Sequence, residues 1–271
     1  MRRARRLAVS LLVLPLSGCG LSMLGQPAVS PSPLPSDRMV FMVESFGGLI
    51  ANLDSVLVTP ALAVYGDGRV IEVDHDQHIQ GTPSAYTVAQ VDPAAVAAFV
   101  ADAEERNVIN EGTDFGDPMV TDLPATTVQL HGTADPQLVH VYAFSDEFED
   151  DVPRAQRRAR QELAQIVDNA YALPGKDQRV AYRPDQVEVT QLQLDKGNDT
   201  PGPEWPGPDP ESFLVPSADS PRRVACGTIT GSNAEEAYAA ARGNPRGVWT
   251  HGSRTLVLLV VPLLPGQPAC S

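Results

Sequence analysis

The sequence predicts an α+β fold: an antiparallel sheet built from two strand-strand-helix units with both helices on one face, plus a smaller disulfide-linked α+β unit. Two β-rich runs flank the turn Gly66-Asp67-Gly68, and two more flank residues 132–136. Each pair is followed by a segment whose apolar residues recur at helical spacing. Near the end, the apolar run Arg254 to Val261 reads as a strand buried on both faces.

In chain order, Val40 to Ser45 is a first strand, followed by the breaker Gly47-Gly48. Ala61 to Tyr65 and Arg69 to Val73 form a hairpin, because the glycines between them supply the positive φ that a tight turn demands. Asp92 followed by Pro93 marks a helix start, with the cap and the first-turn proline in their preferred places. Val96, Phe99, Val100 and Ala103 share one face, so this helix packs on the hairpin. Thr126 to Leu130 and Leu138 to Phe144 repeat the strand pair, and a second helix runs from about Pro153 to Ala172. Its apolar stripe is Ala155, Ala159, Leu163, Ile166, Val167 and Ala170. The acidic run Asp146 to Asp151 precedes that helix, where the dipole favours negative charge.

The last third reads as a second unit. Gln186 to Leu194 is a strand, and residues 196–221 form an insert rich in Pro, Gly and Asp, with Trp205 set between prolines. A loop of this length is usually functional or disordered. Arg223 to Thr230 is a strand, Ser232-Asn-Ala-Glu235 fits a capping box, and Ala234, Tyr238 and Ala241 line a helix that Gly243 ends. The expected organisation is 1–18, 19–37, 38–175 and 176–271.

Arg2, Arg3, Arg5 and Arg6 precede an apolar run from Leu7 to Leu16, and small residues follow. That is the pattern of a secretory signal. The ending Leu16-Ser17-Gly18-Cys19 resembles the lipobox of bacterial lipoproteins. The resemblance implies cleavage after residue 18, acylation of Cys19, and attachment to the extracytoplasmic face of the cell membrane through that lipid. The apolar run is about half the roughly 20 residues a membrane-spanning helix needs, so lipid must supply the anchor. One acyl chain binds only marginally, so stable anchoring requires a multiply acylated Cys19. Residues 19–37, rich in Pro, read as a tether of about 3 Å per residue in extended form.

The Tyr65-Gly66-Asp67-Gly68-Arg69-Val70 turn, Asp114-Phe115-Gly116 and Thr121-Asp122-Leu123-Pro124-Ala125-Thr126 resemble a small bacterial domain of unknown function, common in exported actinobacterial lipoproteins. This likeness covers about half the chain, rests on turn residues, and implies compartment and fold. It brings no catalytic residues with it. The ending Val261-Pro262-Leu263-Leu264-Pro265 through Cys270 is similar to the close of other exported actinobacterial proteins.

Net charge is −14. Removing residues 1–18 takes away four arginines, leaving 16 Lys and Arg against 34 Asp and Glu, a net charge of −18. Nucleic acid is disfavoured as a partner, because a phosphate backbone is bound by clustered Lys and Arg. With Cys19 lipidated, Cys226 and Cys270 form an even pair, and in an oxidising compartment a disulfide between them is the expected state.

Candidate chemistry is thin. Asp74-His75-Asp76-Gln77-His78 offers His and carboxylate ligands without a complete metal set, and a solvated strand end explains it better. Asp146, Glu147, Glu149, Asp150 and Asp151 lack the spacing of a calcium loop. Ser45 lies in no Gly-x-Ser-x-Gly elbow. His131 and His140 fall on the second hairpin, where facing each other and simple exposure are both open readings. Arg154, Arg157 and Arg158 form a small basic face, for anionic head groups or wall polymers, or for the adjacent acidic run. Trp205 either folds back over apolar surface or presents a recognition element to a partner.

The expectation is a non-enzymatic, lipid-anchored envelope lipoprotein, a monomer without cofactor or metal, that binds a ligand, an envelope protein or a wall polymer. The alternative is a cell-envelope hydrolase with a dispersed active site.

Overall fold

Seven antiparallel strands make the first sheet of the protein, which a computed structural model describes over residues 34–49, 56–132, 135–175, 178–193, 200–216 and 223–270. Cys19 and residues 19–33 of the tether lie outside the described residues. The strands are β1 (Met39–Gly47), β2 (Leu62–Tyr65), β3 (Arg69–Val73), β4 (Tyr86–Gln90), β5 (Pro124–Leu130), β6 (Gln137–Tyr142) and β7 (Val180–Ala181). Their spatial order is β6-β5-β1-β2-β3-β4-β7. The Gly66-Asp67-Gly68 hairpin forms as expected, with Leu62 opposite Glu72 and Val64 opposite Val70. Asp67 holds the turn by accepting from the Arg69 N–H at 3.0 Å. The chain before β1 runs against this turn so closely that a Cβ at Gly66 would sit 2.1 Å from the Pro35 carbonyl oxygen.

Helix α1 (Pro93–Arg106) starts as its sequence dictates: the Asp92 carboxylate accepts from the Ala94 N–H at 2.9 Å, with proline in the first turn. Helix α2 (Arg154–Ala172) follows β6. Val96, Phe99, Val100 and Ala103 of α1 join Leu163, Ile166, Val167 and Ala170 of α2 in one core with Phe41, Val43, Val64, Val70, Val128 and Val141. Both helices therefore cover the same sheet face. Among these residues the Phe41 and Phe99 rings meet edge to face at 5.1 Å. Strand β4, between the hairpin and α1, is an addition to the expected units.

The second sheet has the order β11-β12-β8-β10-β9. Its strands are β8 (Gln186–Leu192), β9 (Val215–Pro216), β10 (Arg223–Thr230), β11 (Val248–His251) and β12 (Arg254–Pro262), all antiparallel. Helix α3 (Ser232–Arg242) packs Ala234, Ala237, Tyr238 and Ala241 on Val187, Val189, Leu258 and Val260. The expected capping box is not formed. Ser232 is the first helical residue, and Gly231 precedes it at φ 65°, a conformation a serine would not readily adopt, with no side-chain cap. β12 is buried from Val257 to Pro262, as its composition predicts.

The described residues form one compact unit, and tyrosines stitch the two sheets together. Tyr65 donates to the Pro265 carbonyl at 3.0 Å, and Tyr238 donates to the Ser84 carbonyl at 2.7 Å. Leu264 fills the space over Ala63, Tyr65, Ile71 and Tyr86. Cys226 and Cys270 are bonded in a disulfide. Beside it Glu188, buried in the sheet, accepts from the Cys270 N–H at 2.6 Å, from the Thr190 hydroxyl at 3.1 Å and from Arg223 at 3.3 Å. The carboxylate thus fixes the C-terminal segment to β8. Among the described residues no helix is long and apolar enough to cross a membrane.

Candidate functional site

The first sheet buries one face under α1 and α2 and only half of the other. On strands β1, β5 and β6 the residues alternate with the core set, and register aligns them in three rows: Met42-Gln129-Leu138, Glu44-Thr127-His140 and Phe46-Ala125-Tyr142. Met42 lies opposite Ala63 of β2, so these rows continue the face that Leu264 covers farther along. At β1, β5 and β6 that cover ends. Phe46 is 41% exposed and Leu138 37% exposed. Leu49 and Met119 project beside the Phe46 end, where the Leu49 N–H donates to Asp122 and Tyr142 donates to the Val120 carbonyl.

The middle row is polar. The Thr127 hydroxyl and His140 Nδ1 lie 2.8 Å apart, and the His140 ring meets Phe46 edge to face at 5.9 Å. The Glu44 carboxylate has no hydrogen-bonding partner among the described residues, while its backbone pairs with Thr127. Half-buried, it is harder to ionise than a free glutamate, because burial raises its pKa. Ser45 points to the opposite face and bonds Thr126 across the strands at 3.1 Å. His131 does not face His140. Its backbone N–H donates to Val40, its Nδ1 is buried without a partner, and burial together with Arg38 lowers its pKa.

The β6 edge is closed at one end by Arg160, which helical spacing puts on the same face as Leu163 and Val167. It is fully buried, and both terminal nitrogens donate to the Tyr142 carbonyl at 3.2 Å. It also donates to the carbonyls of Ala143 and Phe115. The need is local: the Ala143 N–H donates to Pro124 at 3.0 Å, but Pro124 has no N–H to return, so the Ala143 carbonyl takes Arg160 instead. Desolvation lowers the arginine's pKa, and Glu149 and Asp117 oppose that shift.

The other expected residues lie elsewhere. Trp205 is 3% exposed, packs edge to face on Trp249 at 5.2 Å and donates from Nε1 to the Pro208 carbonyl at 2.8 Å. As a partner contact it is therefore corrected: the indole is a core residue of the second sheet, and only the fold-back reading fits. The segment around it is pinned by His251, whose Nε2 lies 3.5 Å from Asp209, and by Arg254 on Glu211. Asp74 caps the short 3-10 turn at His75–Gln77, and none of that turn is buried. The Asp146–Asp151 run is itself a 3-10 turn. α2 has no side-chain cap from it, but Arg157 pairs with Asp150 at 2.9 Å. Arg158 turns to Glu162 instead. A shallow pocket of about 320 Å³ between α1 and α2 is lined by Arg106, Asn107, Thr113, Arg158 and Glu162.

Glu188, Cys226 and Cys270 form a close group of metal-ligand type, but both sulfurs are committed to the disulfide. No family model, no curated protein and no solved structure matches the chain. The half-open sheet face is thus the feature with the most unassigned chemistry: two mainly apolar rows, one of them carrying Gln129, flank a polar one. Sequence reasoning singled out His140 alone of its nine residues, since alternation gives two faces to every strand without saying which is covered. A repeated out-facing Met42, Glu44, Phe46 beside Thr127, His140 was the available signal.

Proposed function

We propose that this protein is a lipid-anchored envelope lipoprotein that acts by binding on the extracytoplasmic side of the cell membrane. The single observation that carries binding is the uncovered half-face of the first sheet. Folding buries the equivalent surface of β2–β4 under Leu264, yet Phe46, Leu138 and His140 remain exposed on β1 and β6. Exposed apolar side chains on either side of a polar row support reading this face as a contact surface. The address rests on the basic and apolar leader and Cys19, and the closed Cys226–Cys270 bond is in keeping with an oxidising compartment. A photo-crosslinking amino acid at position 140 in living cells tests this. Adducts in the membrane fraction at position 140 and none at the exposed position 168 of α2 support binding by this face. Equal adducts at both positions, or none, refute it.

A second reading, an envelope hydrolase, is favoured by one contact, the Thr127 hydroxyl 2.8 Å from His140 Nδ1. A hydroxyl and an imidazole at this distance form the core of an activated nucleophile. Labelling by a fluorophosphonate probe that disappears in both Thr127→Ala and His140→Ala would establish it.

A further inference from the structure

The open strand edge of β6 is where the partner binds, and we infer that the partner is an extended, basic peptide segment that adds a strand there. This deepens the binding reading above and rests on it. A sheet edge presents unpaired N–H and C=O groups, and proteins normally shorten, charge or cover such edges. Three of the four edges here are managed. β7 and β9 are two residues each. β11 is covered by the chain itself: Thr250 donates to the Pro203 carbonyl and Trp205 donates to the Thr250 carbonyl, both at 2.8 Å.

β6 is six residues long, Gln-Leu-Val-His-Val-Tyr, with no proline and no acidic, lysine or arginine side chain. The Ala143-to-Pro124 bond sets its phase: residues 137, 139 and 141 aim their backbone groups at β5, and residues 138, 140 and 142 aim theirs outward. Arg160 occupies the outward carbonyl of Tyr142. The N–H and C=O groups of Leu138 and His140 have no partner elsewhere among the described residues, so two outward residues offer four ladder bonds.

Charge selects the occupant. Asp135 precedes this strand and the Asp146–Asp151 run follows it, in a chain of net charge −14. A second copy pairing antiparallel would set one copy's Asp135 end against the other's acidic run, and like charges resist that. A segment with apolar or Thr residues flanked by Lys or Arg suits both ends.

The test uses the full chain purified in detergent and a synthetic peptide alternating Val and Thr with lysines at both ends. Amide hydrogen exchange at Leu138 and His140 is read with and without it. The proposal expects exchange at these two amides to slow about tenfold or more. Protection should vanish with the same peptide N-methylated at its central amides, and with glutamates replacing the lysines. No slowing at these amides, or equal slowing by the N-methylated peptide, overturns the proposal. So does their protection by dimerisation without peptide, which would make a second copy the occupant. The peptide controls need no change to the protein. A failed peptide with successful crosslinking at position 140 removes the strand-addition mode and leaves the binding reading intact.

Discussion

Both terminal nitrogens of Arg160 lie 3.2 Å from the carbonyl oxygen of Tyr142, the last residue of β6. The pairing joins a helix to the outer edge of a sheet, and the same guanidinium serves the Ala143 carbonyl to which Pro124 cannot donate. It places a cation in the interior with carbonyl oxygens as its hydrogen-bond partners, and it decides where the free edge of the sheet begins.

Replacing Arg160 with Met leaves the carbonyls of Phe115, Tyr142 and Ala143 without their donor. Each buried unsatisfied acceptor is costly, so Arg160→Met should destabilise the fold by about 2–4 kcal/mol. Arg160→Lys should recover only part, because one ammonium lacks the planar fork that reaches all three. Urea denaturation of the three proteins measures both effects.

Glu44 carries a pH signature. Its folded pKa lies above the unfolded value because burial penalises the charged form. The group therefore favours folding below the unfolded pKa and loses that advantage as pH rises through the folded one. Glu44→Gln should raise the melting temperature at pH 7 and leave it unchanged near pH 3.5. Thermal melts at the two values check the sign, and a stabilisation that is larger in acid would be the wrong one.

Trp205→Ala removes a buried indole from its contact with Trp249. The cavity should cost about 3–5 kcal/mol, read by denaturant unfolding. An unchanged midpoint would mean that the indole is not part of the core.

Breaking the Cys226–Cys270 bond opens a loop of 44 residues. On the chain-entropy model its loss costs about 4 kcal/mol. Reduction of the native protein should lower its denaturation midpoint accordingly, and the Cys226→Ser variant should show the low midpoint with no response to reductant.

Most of the fold was legible in residues that fix local geometry. Gly66, Gly68, Asp92 and Pro93 each determine a turn or a cap within a few residues, and the structure places a turn or helix start at each of them. The stripe on α2 was legible for the same reason, down to Leu163, Ile166 and Ala170. What escaped depends on distant chain. Tyr86–Gln90 is short and does not alternate cleanly, because Tyr86 and Ala89 are both buried. Ser232 to Glu235 had the letters of a capping box, but β10 delivers the chain through Gly231 one residue too early. Arg160 falls on the apolar stripe by its spacing from Leu163 and Val167, but nothing nearby in sequence announces that Pro124 leaves a carbonyl for it to serve. Which half of the sheet face stays open escaped because the cover over the other half, Leu264, comes from the far end of the chain.

The most direct test of the account is the intact mass of the protein recovered from the membrane fraction of its own cells. The account predicts a chain beginning at an acylated Cys19, with Cys226 and Cys270 oxidised. A chain that still begins at Met1, recovered from the cell interior with all three thiols free, would contradict it.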